Sequence, residues 1–341
     1  MRAFILRRLA ALPLVVAGVT LLLFALTQLL SPEMRASLYV KDPRQLDSLA
    51  EIIKTRGLND PVLVQYGRWL GMLARGELGY SETANMPVTE AIKAYLPATL
   101  ELSVATMAPV LLLGIWLGTL SAVKKDRWAD HLIRAGSITS YSLPIFVLGL
   151  LLLMFFYGKL GWFEPGRYSL ETDYLISAGG FTRHTGLLTI DALLNRNMTV
   201  FLDALKHLVL PAFALCIGSA ALMIRVMRSS MLEELGKDYV RTARAKGLPE
   251  WRVRYVHAGK NALIPVITVA SLQFVKLLGG VVIIETVFAF PGIGRWGVTA
   301  AQQLDIPGVL GFALMTSLLF VTGNLLADIA YAWADPRIRY R

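Results

Sequence analysis

Residues 99–123 read TLELSVATMAPVLLLGIWLGTLSAV, and Glu101 is the one charged residue in this run of 25. A bilayer core about 30 Å thick is crossed by roughly 20 apolar residues in a helix. Five more stretches meet this criterion, at residues 9–30, 135–158, 207–227, 263–290 and 309–333. Because only helices or closed barrels satisfy backbone polar groups in lipid, the sequence predicts an all-α polytopic membrane protein with six transmembrane helices.

The charge distribution predicts how these helices are oriented. The chain of 341 residues is 55% hydrophobic and 17% charged, with a net charge of +10. With the N-terminus inside, the segments on the inner face hold 19 Lys and Arg against seven Asp and Glu, whereas the outer segments are balanced. This asymmetry follows the positive-inside rule, so both termini are expected in the cytoplasm. The excess charge then reflects topology, which argues against a nucleic-acid partner.

The first stretch is interpreted as a retained span. It is longer than the roughly 7–15 apolar residues of a signal peptide, and no clear small-x-small cleavage site follows it. The single cysteine, Cys216, excludes an internal disulfide and any cysteine-based metal cluster.

Catalytic motifs are missing from the sequence. It contains neither the G-x-x-x-x-G-K-[ST] of a P-loop nor an H-E-x-x-H metal motif, and its four histidines lie in separate segments. Gly292, Gly294 and Gly297 do form G-x-G-x-x-G. A dinucleotide site needs a preceding strand, whereas this motif follows a membrane span, so we interpret it as a tight turn. The sequence therefore indicates transport rather than catalysis, and no cofactor bound by this chain.

One inner segment has a pattern of small residues, glycine and proline that its positive charge does not explain. Residues 238–249 read DYVRTARAKGLP, which predicts a short helix at 239–246 with small residues on it. Gly247 suits a C-terminal cap, and Pro249 prevents continuation. A second basic helix is expected at 250–260. An ordinary positive-inside loop would explain the Arg and Lys residues but not the abrupt stop, whereas a small-faced helix could enter the cleft of a partner.

This segment resembles the cytoplasmic EAA-type loop of ABC-importer permeases, although it lacks the glutamate. It is most similar to the D-Y-V-R-T-A-R-A-K-G form found in the dipeptide/oligopeptide permease family. Further pieces of the resemblance lie in order along nearly the whole chain: GLNDP at 57–61, GELGYS at 76–81, LPATLEL at 96–102, TSYSLP at 139–144, HLVLP at 207–211, RSSML at 228–232, FPGIGRW at 290–296 and DPRIR at 335–339.

The resemblance implies a type I ABC-importer permease fold in a bacterial or archaeal cytoplasmic (inner) membrane. It implies a homologous second permease, two ATPase subunits that bind ATP and Mg, and a periplasmic or lipid-anchored peptide-binding protein. Residues 1–98 would form the first transmembrane helix and a periplasmic segment. Residues 99–341 would form the core permease domain, with five transmembrane helices and a coupling loop at 228–262. The chain itself would not be an enzyme.

The resemblance also implies which residues couple to the ATPase, with Ala243 and Gly247 at the centre of the coupling helix. The full set is Tyr239, Thr242, Ala243, Ala245, Gly247 and Leu248. The cargo is expected to be di- or oligopeptides, although similar permeases import nickel complexes, glutathione or oligosaccharides. A secondary transporter driven by an ion gradient is the alternative of another class, but it predicts inverted repeats and acid relays that are not visible.

Ionisable or polar residues within spans are candidates for the translocation path or its gate. Lys276, placed near the middle of the fifth span, would line the pore, pair with a neighbouring subunit or snorkel. Glu285 is nine positions further on and faces the opposite way. Glu285 and Glu101, near the outer boundary, would hold helix ends or the outer gate. Asn324 would bond a neighbouring helix or the cargo, together with Asp328.

Overall fold

The computed structural model describes residues 2–37, 49–279 and 281–334, and these parts of the chain are almost entirely helical. The helices are α1 (Arg2–Thr27), α2 (Pro32–Ser37), α3 (Leu49–Arg56), α4 (Val62–Ala74), α5 (Val88–Val123), α6 (Trp128–Ser142), α7 (Ile145–Leu152), α8 (Leu170–Ser177), α9 (Leu188–Leu194), α10 (Met198–Leu235), α11 (Asp238–Ala245), α12 (Gly259–Leu278), α13 (Val282–Val287), α14 (Ile293–Gln302) and α15 (Ile306–Ala334). Two π-helical turns, Leu153–Lys159 and Arg252–Ala258, continue α7 and precede α12.

The structure confirms a polytopic helical membrane fold. Among the described residues, four helices are long and apolar enough to cross a bilayer: Val88–Val123, Met198–Leu235, Arg252–Leu278 and Ile306–Ile329. A bent pair, α6 with α7 and its π-helical turn, would be a fifth. The first predicted stretch falls largely on α1, whose apolar part is Leu12–Thr27. The count of six therefore stays a prediction.

The stretch predicted as a span at 135–158 is not one continuous helix. The chain bends by 97° between Trp128–Ser142 and Ile145–Lys159. Leu143, between the two helices, is extended with φ −79° and ψ 125°, and Pro144 follows it. A residue before proline avoids the helical region because the proline ring clashes with it. The apolar composition of the stretch therefore hides a break in the helix.

The predicted fifth span, 263–290, is wrong at its end. Helix α12 stops at Leu278 with Gly279 as its C-cap, and α13 and α14 follow as short helices. Side chains beyond this point are apolar because they pack inside the protein: Ile284, Phe288 and Phe290 are all buried. Lys276 consequently lies in the last turn of α12, not near the middle of a span.

The division at residues 98 and 99 falls inside a helix, since α5 begins at Val88. Just before α5, the strands β1 (Tyr80–Ser81) and β2 (Met86–Pro87) form an antiparallel hairpin, which the all-α expectation did not include. Two further helices, α3 and α4, lie between the first predicted stretch and this hairpin. The motif at 335–339 lies outside the described residues.

The core lies where α5, α10 and α12 pack together. On α5, Gly114 and Gly118 form a G-x-x-x-G pattern that lets α10 approach closely. A Cβ atom at Gly118 would come within 2.6 Å of the Met227 Cβ, and one at Gly114 would overlap Met223. Helices α5 and α10 therefore run side by side along the bundle. One end of the bundle carries α11 and the other end carries α14, and we call them the α11 end and the α14 end.

Candidate functional site

Helix α11 ends as its sequence predicts. Gly247 has φ 74°, a conformation that glycine adopts without strain. The Leu248 amide donates to the Ala243 carbonyl over 3.3 Å, and the Gly247 amide donates to the Arg244 carbonyl over 2.9 Å. These two bonds are the Schellman pair that closes a helix C-terminus. The prediction of a glycine cap is confirmed, although the helix begins at Asp238 and ends at Ala245.

The two faces of α11 differ. Val240 and Ala243 are buried against the core, whereas Tyr239, Thr242 and Ala245 are exposed. Ala243 lies on the inward face of α11, because a position three residues after buried Val240 falls on the same side of a helix. Its role in coupling to the ATPase stays a prediction. Leu248 likewise packs against the core.

Gly247 is exposed, and a Cβ atom built on it meets no atom within 4 Å. The exposed side of the helix therefore carries Tyr239, Thr242, Ala245 and Gly247 from the predicted set.

Tyr239 fixes α11 to both neighbouring long helices. Its hydroxyl donates to Glu234 Oε2 at the end of α10 over 2.5 Å and accepts from Asn261 Nδ2 at the start of α12 over 3.1 Å. Lys237 Nζ donates to the other oxygen of Glu234 over 2.5 Å. Burial and the neighbouring Glu234 raise the pKa of Tyr239, so it remains a donor at neutral pH. Tyr239 therefore links α11 to both α10 and α12.

The turn after α11 is held by charge. Glu250 accepts from Arg244 Nε and from Arg254 Nε, both over 2.8 Å. The hydrogen bond from Arg244, with both arginine charges nearby, holds the pKa of Glu250 below its ordinary value. These pairs are exposed, so each stabilises the turn by only about 0–1 kcal/mol. The other basic side chains Arg241, Lys246 and Arg252 leave this surface positive.

At the α14 end, Glu285 organises the glycine-rich turn. Its carboxylate is fully buried and accepts from the Thr99 hydroxyl over 2.6 Å and from the Arg295 amide over 2.8 Å. Thr99 Oγ1 also accepts from the Ile293 amide over 2.9 Å. The first amides of α14 are thus satisfied by a carboxylate and a hydroxyl of the same chain, as helix N-termini favour.

Close packing explains the three glycines of the G-x-G-x-x-G motif. A Cβ atom at Gly292 would overlap the Glu285 carboxylate, and one at Gly294 would lie 2.8 Å from Glu285 Oε2. At Gly297, a Cβ would overlap the ring of Phe312. The motif therefore permits close packing within the protein, and the anion that its helix N-terminus receives is Glu285.

Glu101 anchors the segment between α7 and α10. It accepts from Arg167 Nη2 over 2.8 Å and from the Thr189 amide over 2.6 Å. Arg167 Nη2 also donates to the Gly186 carbonyl over 2.7 Å. Because the side chains of Glu101 and Arg167 are only 5% and 12% exposed, this pair ties α5 firmly to that segment.

The remaining polar candidates do not join these networks. Lys276 is exposed at the end of α12, and no ion pair links it to Glu285 among the described residues. Asn324 is half-buried in α15. The structure thus separates the predicted residues into a group on α11 at one end and two independent glutamate networks toward the other.

Sequence reasoning missed a buried ion pair near the α11 end. Asp130 accepts from Arg228 Nε over 2.8 Å and from Arg228 Nη2 over 2.7 Å, and it is fully buried. Ser121 at the end of α5 donates to the same carboxylate, as does the Asp126 amide over 3.0 Å. In the sequence, Asp130 is only one of the acids of an inner segment, and Arg228 is only the first residue of the RSSML motif. The network joins α5, α6 and α10 a short distance before α11.

We expect Asp130→Asn to lower the free energy of unfolding by about 3 kcal/mol, because removing one partner leaves the other charge buried and uncompensated. Asp238→Asn is the matched control: the Asp238 side chain is 94% exposed and should change stability by less than about 0.5 kcal/mol. Denaturant unfolding of the two variants in the same detergent measures both effects. Equal stabilities would contradict the structural importance of the Asp130 network.

The fold and the capped helix define a helical membrane component of a transport system. The family model described as "Binding-protein-dependent transport system inner membrane component" matches residues 112–340. The chain belongs to this family.

Several curated relatives are similar over the full length. The chain is 46% identical over 328 residues to the "Probable D,D-dipeptide transport system permease protein DdpB" of Escherichia coli (strain K12), covering 96% of this chain and 94% of that protein. It is 42% identical to the "Di/tripeptide transport system permease protein DppB" of Pseudomonas aeruginosa (strain UCBPP-PA14), covering 100% of both chains. It is 37% identical to the "Oligopeptide transport system permease protein AppB" of Bacillus subtilis (strain 168), again covering 100% of both.

Proposed function

We propose that this chain is the membrane-spanning subunit of an ATP-driven importer of short peptides, with its α11 end in the cytoplasm. The names of the relatives above support the peptide cargo. The observation that carries the proposal is α11 itself: a helix with a fixed C-terminus, whose exposed side carries Tyr239, Thr242 and Ala245 and is surrounded by basic side chains. Such a helix fits a cleft in a partner.

The proposed partners would supply ATP binding, the rest of the translocation path and delivery of the cargo. Two ATPase subunits would bind ATP and Mg, one of them against α11, and a second homologous permease would complete the path. A peptide-binding protein on the opposite side would deliver the cargo. The chain would have no catalytic site of its own, since its sequence contains no P-loop.

The connections of α11 support a mechanism by rigid-body movement. Helix α10 has 38 residues, so it spans roughly 57 Å from the α14 end to α11. Its packing against Gly114 and Gly118 of α5, and its bonds to Asp130, make α5, α6 and α10 one unit. A displacement of α11 would be transmitted to α10 through the hydrogen bond of Tyr239, and it would tilt α5, α6 and α10 together. Such movements are a common way to open one side of a bundle and close the other.

The polar candidates would divide the remaining tasks. Glu285 and Glu101 have their oxygens occupied by donors of the protein, so they would position the gate at the α14 end rather than touch cargo. Lys276 is exposed and would be available to the path or to the second permease. Asn324 would face a neighbouring helix or the path.

Transport by the complete complex in proteoliposomes tests the proposal. We expect peptide uptake to require ATP inside the vesicles, where the ATPase subunits face, and to continue when the proton gradient is collapsed with an ionophore. Uptake that persists without ATP but stops when the gradient is removed would contradict the proposal and favour an ion-driven transporter.

A further inference from the structure

A pocket of about 260 Å³ lies at the α14 end, between the start of α5 and the first turns of α14. Arg295 and Trp296 from α14, Tyr95 from α5 and Thr83 from the hairpin line it. The rings of Tyr95 and Trp296 are stacked, with centroids 5.8 Å apart and an angle of 18° between their planes. The pocket therefore has one aromatic wall and one cationic side chain. Neither has a part in the networks that hold the fold at Glu101 or Asp130.

The guanidinium group of Arg295 is held in place at one of its nitrogens. Its Nη1 donates to the Ala289 carbonyl over 2.7 Å, which fixes the side chain. In the parts of the chain that the structure describes, no acidic side chain forms an ion pair with it. The edge formed by Nε and Nη2 is therefore left for an acceptor. An arginine edge of this kind binds a carboxylate through two parallel hydrogen bonds.

Thr83 supplies a second unused group. Its hydroxyl is shielded from solvent and has no hydrogen-bond partner among the described residues. The Thr83 amide donates to Asp305 Oδ2 over 3.1 Å, so its position is fixed by the backbone. A buried polar atom without a partner is uncommon in folded proteins. A ligand oxygen beside Arg295 would give this hydroxyl a partner.

The nearby acids do not compete for the pocket. The carboxylate of Glu285 lies against Gly292 but is occupied by Thr99 and the Arg295 amide. The carboxylate of Asp305 is occupied by Ser81, the Thr83 amide and the Gly308 amide. Both carboxylates are therefore held by internal donors, and neither acid is among the residues that line the pocket. Arg295 is the one charged residue among those that line the pocket.

We propose that this pocket binds the carboxylate end of the cargo during its passage, which rests on the proposed peptide-import function. Whole small-molecule sites usually measure about 300–1,000 Å³, so a pocket of about 260 Å³ suits one end of a peptide. The C-terminal carboxylate would bind the free edge of Arg295 and the Thr83 hydroxyl. The side chain of the last residue would lie against Tyr95 and Trp296.

The experiment compares one tripeptide with its C-terminal amide, using the complete transporter in proteoliposomes and a binding protein saturated with either form. Saturation keeps delivery equal, so differences report the step in the membrane subunit. We expect Arg295→Gln to raise the KM for the binding protein loaded with the free acid about tenfold and to leave the KM for the amide-loaded protein unchanged, because one charge-assisted interaction is lost. Thr83→Val removes no hydrogen bond of the fold. It should raise the KM for the acid-loaded binding protein severalfold and leave the KM for the amide-loaded protein unchanged.

Arg183→Gln is the matched control, since Arg183 is exposed and belongs to the segment between α7 and α10. It should change neither KM. Equal effects of Arg295→Gln on acid and amide would overturn the pocket proposal. So would a loss of ATPase stimulation by the peptide-free binding protein, which would assign Arg295 to an acidic partner surface. Failure of the peptide-import proposal looks different: the unaltered transporter would then take up neither form in response to ATP.

Discussion

Replacing Gly247 by aspartate is expected to lower ATP-dependent uptake at least about 100-fold while the protein still inserts into the membrane. Nothing in the chain opposes the substitution sterically, since a Cβ atom at this position meets no atom within 4 Å. Asp also tolerates the left-handed conformation that φ 74° imposes. The damage should therefore arise at the surface that α11 presents. A carboxylate buried there without a partner would cost about 2–5 kcal/mol of docking free energy.

Gly247→Asn is the control that isolates the charge. Asparagine has nearly the same shape as aspartate and accepts the same backbone conformation, but it carries no charge. We expect it to retain uptake within about tenfold of the unaltered protein and to co-purify with the ATPase. Co-purification and uptake are measured together for both variants. An aspartate variant that co-purifies normally with the ATPase would contradict the assignment of α11 as the docking helix.

Local chemistry explains why the end of α11 could be predicted. A glycine that takes positive φ and a proline two residues later act on the backbone directly, so Gly247 and Pro249 fix the stop regardless of the rest of the fold. The inward face could not be predicted in the same way. Ala243 looks like a docking residue in the sequence because it is small, yet it packs against the core. Its burial depends on where α10 and α12 place the helix.

Apolar composition predicted the helices but not where they stop. Residues 282–290 are as apolar as a span because Ile284, Phe288 and Phe290 are buried in protein, and hydropathy does not distinguish burial in protein from burial in lipid. The polar networks could not be predicted at all from one sequence. Ser81 and Asp305 meet across 224 positions, and Thr99 meets Glu285 across 186. Pairs at such separations have no local pattern.

The glycine-rich turn gives the second large effect. Gly292→Ala is expected to lower the free energy of unfolding by about 4 kcal/mol. The backbone at Gly292 has φ −93°, which any residue adopts, so only space limits the substitution. An added Cβ would overlap the buried carboxylate of Glu285. Overpacking costs about 1–3 kcal/mol, and displacing the carboxylate leaves the Arg295 amide without its acceptor, for another 1–3 kcal/mol or so.

A double-mutant cycle with Glu285→Ala separates this contact from other effects of the loop. Glu285→Ala alone should be strongly destabilising, because it leaves Thr99 and the Arg295 amide unpaired. Once the carboxylate is gone, however, the added methyl group at Gly292 meets no carboxylate. We therefore expect Gly292→Ala to cost less than about 1 kcal/mol in the Glu285→Ala background, a coupling energy near 3 kcal/mol.

Denaturant unfolding of the three variants in detergent measures this cycle, with Gly71→Ala as the control. Gly71 lies in α4 with no atom near its Cβ position, so alanine there should be neutral or stabilise the helix by up to about 1 kcal/mol. Additive losses from Gly292→Ala and Glu285→Ala would show that the two positions act independently. The close approach of Glu285 would then not be the reason for glycine at position 292. A strong coupling would instead show that the close approach of the Glu285 carboxylate is the reason for glycine at position 292.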